Sequence, residues 1–417
     1  MKTYSPRHRV IARDLVTNDV ICDLSPDIIS LTVNKAYRMA AGTFQLVVTY
    51  REVDGNRYDQ MLTPDDMITI ELDAGDGSGF KYVLTGLIDR IARTFRVAHN
   101  GAPERRITIS GRDMGKLLTT IELGWDISGV NRLLYANGTG TMVAATIGRF
   151  LNSRGTPEEL VSYIYQLFTT QIPGADYVQH FNLQISTDDD WRTAFPDMVG
   201  LRGTDAWSAL KRLSNEPYNA LTTATNSTTG KFWIILEKTP IDQYGRVARE
   251  SLHKIETADI VASDLGISDA ERVNLLCLWP TTTKALVNSI LDIALAYEGL
   301  TVLNKASAEV HGFRPHVIEP VFMPQDFWIE AEEKIADITR CSDRAKLFWE
   351  WYYKNDSYES GYFSIHGNPN IQQGDGVVHV DEKKEFFVEQ LAHIYTVHPV
   401  PSFITQLQVT RGQNVRR

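Results

Sequence analysis

The sequence predicts an α+β multidomain protein: two similar antiparallel β-domains, each a barrel or sandwich, interrupted by helical and small α+β insertions. Three observations support this prediction. The stretch from Leu62 to Asp113 has a counterpart, in the same order, between Ile371 and Gly412. Between the two stretches, the apolar period changes from two residues to the helical spacing. Finally, 417 residues are enough for several domains, each with its own core.

The repeat consists of three matched segments. The turn Leu62–Ile68 and the alternating strand after it match Ile371–Val377, and both turns carry acidic residues before the apolar run. A long extended segment follows in each copy, with Tyr82–Ile88 set against Phe386–Ala392. In the final strand, Ile107–Arg112 matches Leu407–Gly412. Longer loops in the first copy are what a duplicated β-domain should show.

The match extends upstream. There, the segments Asp27–Ile29 and Gln45–Leu46 match Asp259–Val261 and Cys277–Leu278, respectively. The first β-domain is therefore predicted to be continuous over residues 1–118. The second is predicted to be discontinuous, over 256–280 and 360–417. A helical domain over 119–200, a small α+β unit over 201–255 and a mostly helical insertion over 281–359 complete the predicted organisation.

Within the first β-domain, Val10–Leu24, Ile28–Val33 and Thr43–Thr49 are predicted strands, and Arg112–Thr120 is a predicted short helix. The helical domain contains a clear helix start at Thr156, where Thr is the cap, Pro occupies the first position and Glu follows three residues after the cap. The helix that begins there presents one apolar face, formed by Leu160, Ile164, Leu167 and Phe168.

The unit over 201–255 reads as the helix Thr204–Leu213 followed by a hairpin, with strands Tyr218–Thr225 and Lys231–Glu237. In the insertion over 281–359, the predicted helices are Lys284–Tyr297 and Phe327–Tyr353, the second capped by Asp326. The latter helix ends in an aromatic cluster at residues 348–353. Those side chains either contact another domain or subunit, or are buried within their own chain.

Composition limits the function. Hydrophobic residues make up 43% and charged residues 23%, as in ordinary globular proteins. The sequence has no long apolar run, and the segment Met1–Arg7 is polar. We therefore predict no membrane span and no export signal. The cysteines Cys22, Cys277 and Cys341 are too far apart in sequence for a zinc motif and are predicted to be buried thiols. A net charge of −10 argues against nonspecific nucleic-acid binding.

No common catalytic or phosphate-binding motif is present in the sequence. His393 and His398 differ by an odd number of positions in an extended segment, so they point to opposite faces. The run Asp188–Asp190 is either a divalent-cation site or a solvated turn, and His311–His316 is a constrained loop. We therefore predict no catalytic, cofactor-binding or metal-binding residue, no cofactor and no enzymatic activity.

Several segments together resemble the baseplate or tail hub family of contractile phage tails and related injection systems. They are the turn before Ile68, the strand Val83–Ile88, the segment Arg106–Asp113, the stretch Ile365–Asp375 and the ending Leu407–Gly412. The family often has Pro-Gly-Asp at the second turn, where this chain has Gln373 before Gly374 and Asp375.

The resemblance implies that both β-domains are tube-type domains and that the protein is a virion component synthesised in the host cytoplasm. It further implies a homotrimer whose six tube-type domains form a ring. This ring joins the hexameric tail tube to the three-fold central spike, contacts other baseplate proteins and encloses the channel used in host-cell penetration. DNA is expected to pass without specific binding, so acidic and neutral side chains should line the channel. Candidate lining residues are Thr69, Glu71, Glu385 and Glu389.

Two alternatives belong to other functional classes. One is a carbohydrate-binding adaptor at the tail tip, favoured by the Trp and Tyr content. The other is a cell-wall glycan hydrolase whose catalytic part lies in the helical insertions. Glycan binding and a hydrolysis assay distinguish them from a structural hub.

Overall fold

The computed structural model describes residues 5–53, 55–97, 103–121, 155–171, 177–192, 204–249, 252–278, 301–318, 322, 331–397 and 400–415. No helix in these ranges combines the length and the apolar character needed to cross a membrane. The strands of the first half are β1 Arg7–Arg13, β2 Val20–Asp23, β3 Ile28–Ala36, β4 Thr43–Thr49, β5 Glu52–Val53, β6 Asn56–Arg57, β7 Met67–Asp73, β8 Lys81–Val97, β9 Pro103–Asp113 and β10 Phe181–Ser186.

The strands of the second half are β11 Asn219–Thr225, β12 Phe232–Lys238, β13 Leu252–Ile255, β14 Ile260–Ile267, β15 Leu275–Leu278, β16 Thr301–Leu303, β17 Pro315–Ile318, β18 Glu359–His366, β19 Gly376–His379, β20 Lys384–Thr396 and β21 Ser402–Asn414. The α-helices are α1 Tyr58–Met61, α2 Gly115–Thr120, α3 Pro157–Gln171, α4 Ala206–Arg212, α5 Lys305–His311 and α6 Ala331–Tyr352. Single 3₁₀ turns lie at Ser25–Asp27, Tyr177–His180, Thr257–Asp259 and Asn355–Ser357.

Within the described ranges, thirteen strands form one long sheet. Its main path runs β14-β18-β21-β20-β3-β4-β9-β8-β7-β1-β2, and β19 and β13 branch from β20. All neighbours in this sheet are antiparallel except β13 and β19, which are parallel. The prediction of a predominantly antiparallel β-protein with helical insertions is confirmed.

Two groups of strands in the sheet follow the same order. The first group runs β1-β7-β8-β9-β4-β3, and the second runs β13-β19-β20-β21-β18-β14. The groups meet where β3 pairs with β20 along Ser30–Ala36 and Gln390–Thr396.

Irregularities recur at matching places in the two groups. A register shift between Ile28 and Ser30 has its counterpart between Ile260 and Ala262, as the predicted match of Ile28 with Ile260 requires. A second shift, between Ile88 and Arg90, has its counterpart between Val388 and Gln390.

The second pair of shifts corrects the sequence alignment, because Ile88 is equivalent to Val388 and not to Ala392. The alignment of the last strands changes as well. Gly111 lies opposite Ile88 and Val409 lies opposite Val388, so Gly111 is equivalent to Val409. Ile109 is therefore equivalent to Leu407, which the sequence had matched with Ile107. These errors of four and two residues preserve the alternation, because a period of two identifies the face of a strand but not its register.

The turns that open the two matched segments have the same hydrogen bonds. Asp66 Oδ2 accepts from the Thr63 amide at 2.7 Å, and Asp375 Oδ2 accepts from the Gln372 amide at 2.7 Å. The left-handed position is Asp65, with φ 73°, in one turn and Gly374, with φ 85°, in the other. Gln373 is therefore compatible with this turn.

Two strand predictions were wrong. Cys277 and Leu278 belong to β15, which pairs with β16 and β17 in a separate sheet, while the second-group equivalent of β4 is β18. Residues 281–359 therefore include strands as well as helices. The predicted strand Val10–Leu24 is a hairpin, because Asp14 Oδ1 accepts from the amides of Val16 and Thr17 and turns the chain between β1 and β2.

The predicted helix starts are confirmed where they are described. Glu159 N donates to Thr156 Oγ1 at 3.3 Å and Thr156 N donates to Glu159 Oε2 at 3.0 Å, which is a reciprocal capping box. Asp205 caps α4 by accepting from the Ser208 amide at 2.8 Å. The predicted helix Lys284–Tyr297 and the cap Asp326 lie outside the described residues, as does His398.

The hairpin β11–β12 contacts both strand groups. Thr85 Oγ1 of the first group donates to the Gly230 carbonyl at 2.6 Å. From the second group, the Gln372 side chain donates to the Thr225 carbonyl at 3.3 Å. Arg249 forms a bidentate pair with Glu237 at 2.7 and 2.8 Å and also donates to the Gly374 carbonyl. The unit predicted only to cap a core thus bridges the two groups.

The aromatic end of α6 is an intramolecular anchor. Phe348 and Trp351 are buried in a cluster with Tyr218, Leu276 and other apolar residues of β15 and β17. Trp351 Nε1 donates to the Asp242 carbonyl at 2.9 Å. The contact predicted with another part of the protein is thus made within the chain.

Replacing Trp351 with alanine is expected to lower the free energy of unfolding by about 3–5 kcal/mol, because it opens a cavity and removes a buried hydrogen bond. Trp349→Ala is the control, since Trp349 is only partly buried and stacks on Tyr353. Its loss should cost about 1 kcal/mol. Denaturant unfolding followed by circular dichroism measures both, and equal losses would contradict the anchor.

Candidate functional site

Two of the isolated candidates from the sequence, the run Asp188–Asp190 and His393, have structural roles. Each carboxylate of the run Asp188–Asp190 pairs with its own cation: Asp188 with Lys238 at 3.0 Å, Asp189 with Arg344 at 3.0 Å and Asp190 with Arg340 at 2.6 Å. These pairs connect the segment after β10 to β12 and α6.

His393 is also structural. It is buried, its Nδ1 lies 3.0 Å from Thr405 Oγ1, and burial lowers its pKa to about 3. The described residues contain no group of three or more His, Cys, Asp or Glu side chains that could hold a metal ion.

The most extensive candidate surface is one face of the long sheet, at the joint between the two groups. On four adjacent strands, cross-strand pairing places sixteen side chains on the face opposite the apolar core, and we call this the neutral face. It consists of Ser30, Thr32, Asn34 and Ala36 of β3, Thr43, Gln45, Val47 and Thr49 of β4, Gln390, Ala392, Ile394 and Thr396 of β20, and Ser402, Ile404, Gln406 and Gln408 of β21.

None of these sixteen residues is charged, and hydroxyl and amide groups dominate them. Asn34, Gln45, Gln390, Gln406 and Gln408 are exposed. Part of the face forms a concavity of about 740 Å³, bordered by Met39 and Tyr362. Lys35 also lines this concavity. The sixteen side chains themselves offer many weak hydrogen bonds and no fixed charge.

Charged groups flank the neutral face, and several are paired. Arg112 donates to both carboxylate oxygens of Asp89, at 2.9 and 3.3 Å, and Lys116 lies 2.9 Å from the same carboxylate. Arg106 pairs with Glu104. At the hairpin β8–β9, the opposite charges within each pair therefore offset each other.

The candidate lining residues named from the sequence lie elsewhere. Glu71 is buried and pairs with Arg9 at 3.2 Å, while Glu385 is also buried. Glu389 is the extra residue of the β20 bulge and accepts from Thr410. Thr69 donates to the Ile11 carbonyl. Hence none of the four belongs to the neutral face.

Beneath the joint, two ionisable groups are buried together. Lys35 Nζ donates to Thr225 Oγ1 of the bridging hairpin at 3.0 Å. The Asp113 carboxylate accepts from the Gly42 amide at 2.8 Å and the Gly115 amide at 3.0 Å. Burial lowers the pKa of Lys35 to about 8 and raises the pKa of Asp113 to about 6, and each charge partly offsets the shift of the other.

Two of the strand edges that are open in the described part of the chain bear on the joint between β3 and β20. β14 pairs with β18 on one side and ends the sheet on the other. β8 pairs with β9 along its whole outer half, whereas its other side pairs with β7 only as far as Leu87. The half from Arg90 to Val97 therefore presents an unpaired edge.

Sequence reasoning missed the neutral face because it considered acidic positions first. A usable signal was present, since Thr, Asn and Gln alternate with apolar residues along Thr32–Ala36, Thr43–Val47 and Thr405–Gln408. The pairing of β3 with β20 had no local signal, because it joins strands more than 350 residues apart.

The fold is similar to those of solved phage tail proteins. The 43 kDa tail protein of prophage MuSo2 from Shewanella oneidensis matches with a TM-score of 0.55 and 13% identity, over 98% of each chain. The tail protein from Neisseria meningitidis MC58 matches with a TM-score of 0.50 and 10% identity, over 97% of this chain and 96% of that one.

No protein-family model matches the sequence, and no curated protein matches it. The chain has the fold of phage tail proteins, so the resemblance to the tail hub family is confirmed at the level of the fold.

Asp113 should leave a signature in the pH dependence of stability. Because its native pKa of about 6 exceeds the unfolded value, the folded state binds more protons between about pH 4 and pH 6. Its contribution to stability therefore falls as the pH rises through that range. Relative to Asp113→Asn, the wild-type protein should lose roughly 2–3 kcal/mol between pH 4 and pH 7.

Urea unfolding at several pH values measures this difference. Asp264→Asn, which removes an exposed carboxylate from the same sheet, is the control and should give a profile parallel to that of the wild type. Parallel profiles for Asp113→Asn as well would show that this carboxyl titrates normally.

Proposed function

We propose that this chain is a structural hub of a phage tail baseplate, acting without catalysis. Three chains form a ring in which the two strand groups of each chain serve as two tube-type domains. The ring joins a hexameric tail tube to a three-fold central spike and encloses the channel. The shared strand order of the groups and the tail-protein fold support this proposal.

The joint between β3 and β20 is the observation that carries it. In that joint, the outer half of a long strand from one group pairs with the first-group strand β3. By the bulge equivalences, β8 corresponds to β20 and β14 corresponds to β3. The unpaired edge of β8 is therefore equivalent to the edge of β20 in the joint, and the unpaired edge of β14 is equivalent to that of β3. Within one chain, neither of these two edges has a partner.

Pairing β8 of one chain with β14 of the next would repeat the joint between chains. Transferring the observed register places Ile91 opposite Ile267, Arg93 opposite Leu265, Thr94 opposite Asp264 and Phe95 opposite Ser263. Three chains would then supply six equivalent joints, three internal and three intermolecular. In a closed ring, neither of these two edges stays open.

The side chains at these edges suit such a joint. Phe95 is 58% exposed and Ile267 is 63% exposed, although both lie on the side of the sheet that is apolar elsewhere. In the transferred register, Ile91 and Ile267 meet, and Leu265 lies diagonally across from Phe95. Apolar side chains would thus extend the core across the boundary between chains.

The neutral face fits the wall of a channel through which DNA slides. DNA binding is driven by cations that contact phosphates, and the four central strands offer none on this face. Of the arginines that flank it, Arg106 and Arg112 are paired with carboxylates, while Arg90, opposite Ser110 on β8, is exposed. In the assembly, the neutral face would therefore pass nucleic acid without holding it.

Cysteine pairs test the transferred register. Ile91→Cys with Ile267→Cys, or Thr94→Cys with Asp264→Cys, is expected to give disulfide-linked trimers on non-reducing gels under mild oxidation. Hydrogen-bonded and non-hydrogen-bonded pairs alternate along antiparallel strands, and residues 91 and 94 are three positions apart. One of the two pairs is therefore of the non-hydrogen-bonded kind.

The control combines Ile91→Cys with Ser263→Cys, which lie four positions out of register and should not cross-link. Light scattering of the unmodified protein gives its mass independently. A monomer at every concentration, together with no cross-linking in either pair, would overturn the ring.

The channel wall can be tested by adding charge. Gln45→Lys, Gln406→Lys and Gln408→Lys together should make the assembled protein retain duplex DNA at low salt, whereas the unmodified protein should not. The logarithm of the affinity should fall with the logarithm of salt concentration, with a slope of about 0.9 for each phosphate contact. Filter binding at several salt concentrations measures this.

A triple variant with lysines at the exposed positions Thr17, Thr119 and Thr228 adds the same charge outside the neutral face. It should bind DNA much more weakly than the channel variant. Equal retention by the two variants would show that the neutral face does not meet the DNA.

A further inference from the structure

A second cavity lies away from the neutral face, where the end of β1, the start of β8 and the hairpin β11–β12 meet. Its volume is about 310 Å³. It is lined by Arg13, Asn18, Met67, Thr69, Tyr82, Thr85, Gln179, His180, Thr229, Gly230 and Lys231. The structural role proposed above makes no use of it.

The fold brings two of its basic side chains together. β10 and β12 are parallel neighbours, with Phe181 opposite Phe232. His180 and Lys231 immediately precede those two residues, so they stand side by side where the paired strands begin. Burial lowers the pKa of His180, and the nearby charge of Lys231 lowers it further.

The third basic group comes from the first strand. Arg13 ends β1 and donates from Nη1 to the Asn18 carbonyl at 3.1 Å. A guanidinium has five N–H donors, so this bond leaves others for a ligand. Arg13, His180 and Lys231 therefore border one cavity from three separate parts of the chain.

The lining is one-sided in charge. Among its residues there is no Asp or Glu, whereas Thr69, Thr85, Thr229 and Tyr82 add hydroxyl groups. His180 Nε2 is buried and has no hydrogen-bond partner among the described residues. A buried nitrogen of this kind is costly to leave unsatisfied.

We propose that this cavity binds a small molecule carrying a phosphate or sulfate group. The oxyanion accepts hydrogen bonds from Lys231, from the free N–H groups of Arg13 and from His180. Hydroxyl groups at the wall and the remaining volume accommodate the rest of the molecule. Charge-assisted bonds to oxyanions are the strongest that such side chains form.

Titration calorimetry with sodium sulfate and with sodium phosphate tests the site in the full-length protein. Both salts are expected to bind, and Lys231→Ala and Arg13→Ala should each weaken binding about tenfold. Lys211→Ala, which removes an exposed lysine at the end of α4, should leave the affinity unchanged. Lys231 is exposed, so its replacement preserves the fold.

The pH dependence provides a readout that general charge attraction would not give. Sulfate keeps its charge between pH 5.5 and 7.5, so a change in its affinity over this range reports on the protein. Protonated His180 donates from both ring nitrogens, and sulfate should therefore bind about tenfold more tightly at pH 5.5 than at pH 7.5. In His180→Gln this difference should largely disappear.

Selective ¹³C labelling of histidine shows the same linkage directly, since sulfate should raise the pKa of His180 measured by NMR. No detectable binding of either anion would overturn the proposal. So would equal losses in Lys231→Ala and Lys211→Ala, or a pH dependence that persists in His180→Gln.

Discussion

The antiparallel pairing of β3 with β20 is the constraint on which the arrangement of the chain depends. It joins seven residue pairs, from Ser30 opposite Thr396 to Ala36 opposite Gln390. The two strand groups also meet at the hairpin β11–β12 and where Tyr395 and Phe403 join the core of the first group. The pairing continues the neutral face across both groups, and it defines the geometry that the open edges of β8 and β14 can repeat.

The charges of Lys35 and Asp113, buried beneath this joint, position neighbouring groups more than they stabilise the fold. A buried ion pair rarely stabilises a protein more than apolar residues of the same volume would, because desolvation offsets the attraction. Asp113 holds the amides of Gly42 and Gly115, and Lys35 reaches Thr225. The second-group equivalent of Asp113 is Arg411, which donates to the carbonyls of Trp351 and Gly245. Equivalent positions thus make different contacts, since Asp113 binds amides next to its own strands whereas Arg411 binds carbonyls outside the second group.

Local chemistry was readable from the sequence, while long-range pairing was not. The capping box at Thr156, the α4 helix and the β11–β12 hairpin follow from caps, turns and periodicity within a few residues. The turn at Asp375 forms without a proline because its side chain accepts the Gln372 amide. In contrast, Ile88 was matched with Ala392 instead of Val388, because alternation is unchanged by an even shift. Cys277 was misplaced because the insertion interrupts the second group after β14, and no local feature marks that point.

The residues along the open edges of the sheet indicate whether those edges are protected against pairing with another strand. Edge strands of monomeric proteins are usually protected by lysine, proline or an inward charge. The strand β14 contains no Lys, Arg or Pro between Ile260 and Ile267, and its exposed residues include Val261. The outer half of β8 carries Arg90 and Arg93, yet also Phe95. The edge of β14, whose one charged residue is Asp264, and the outer half of β8 are the structural counterparts of the two strands that pair in the joint. The register of that joint therefore defines how a strand would be added at either edge.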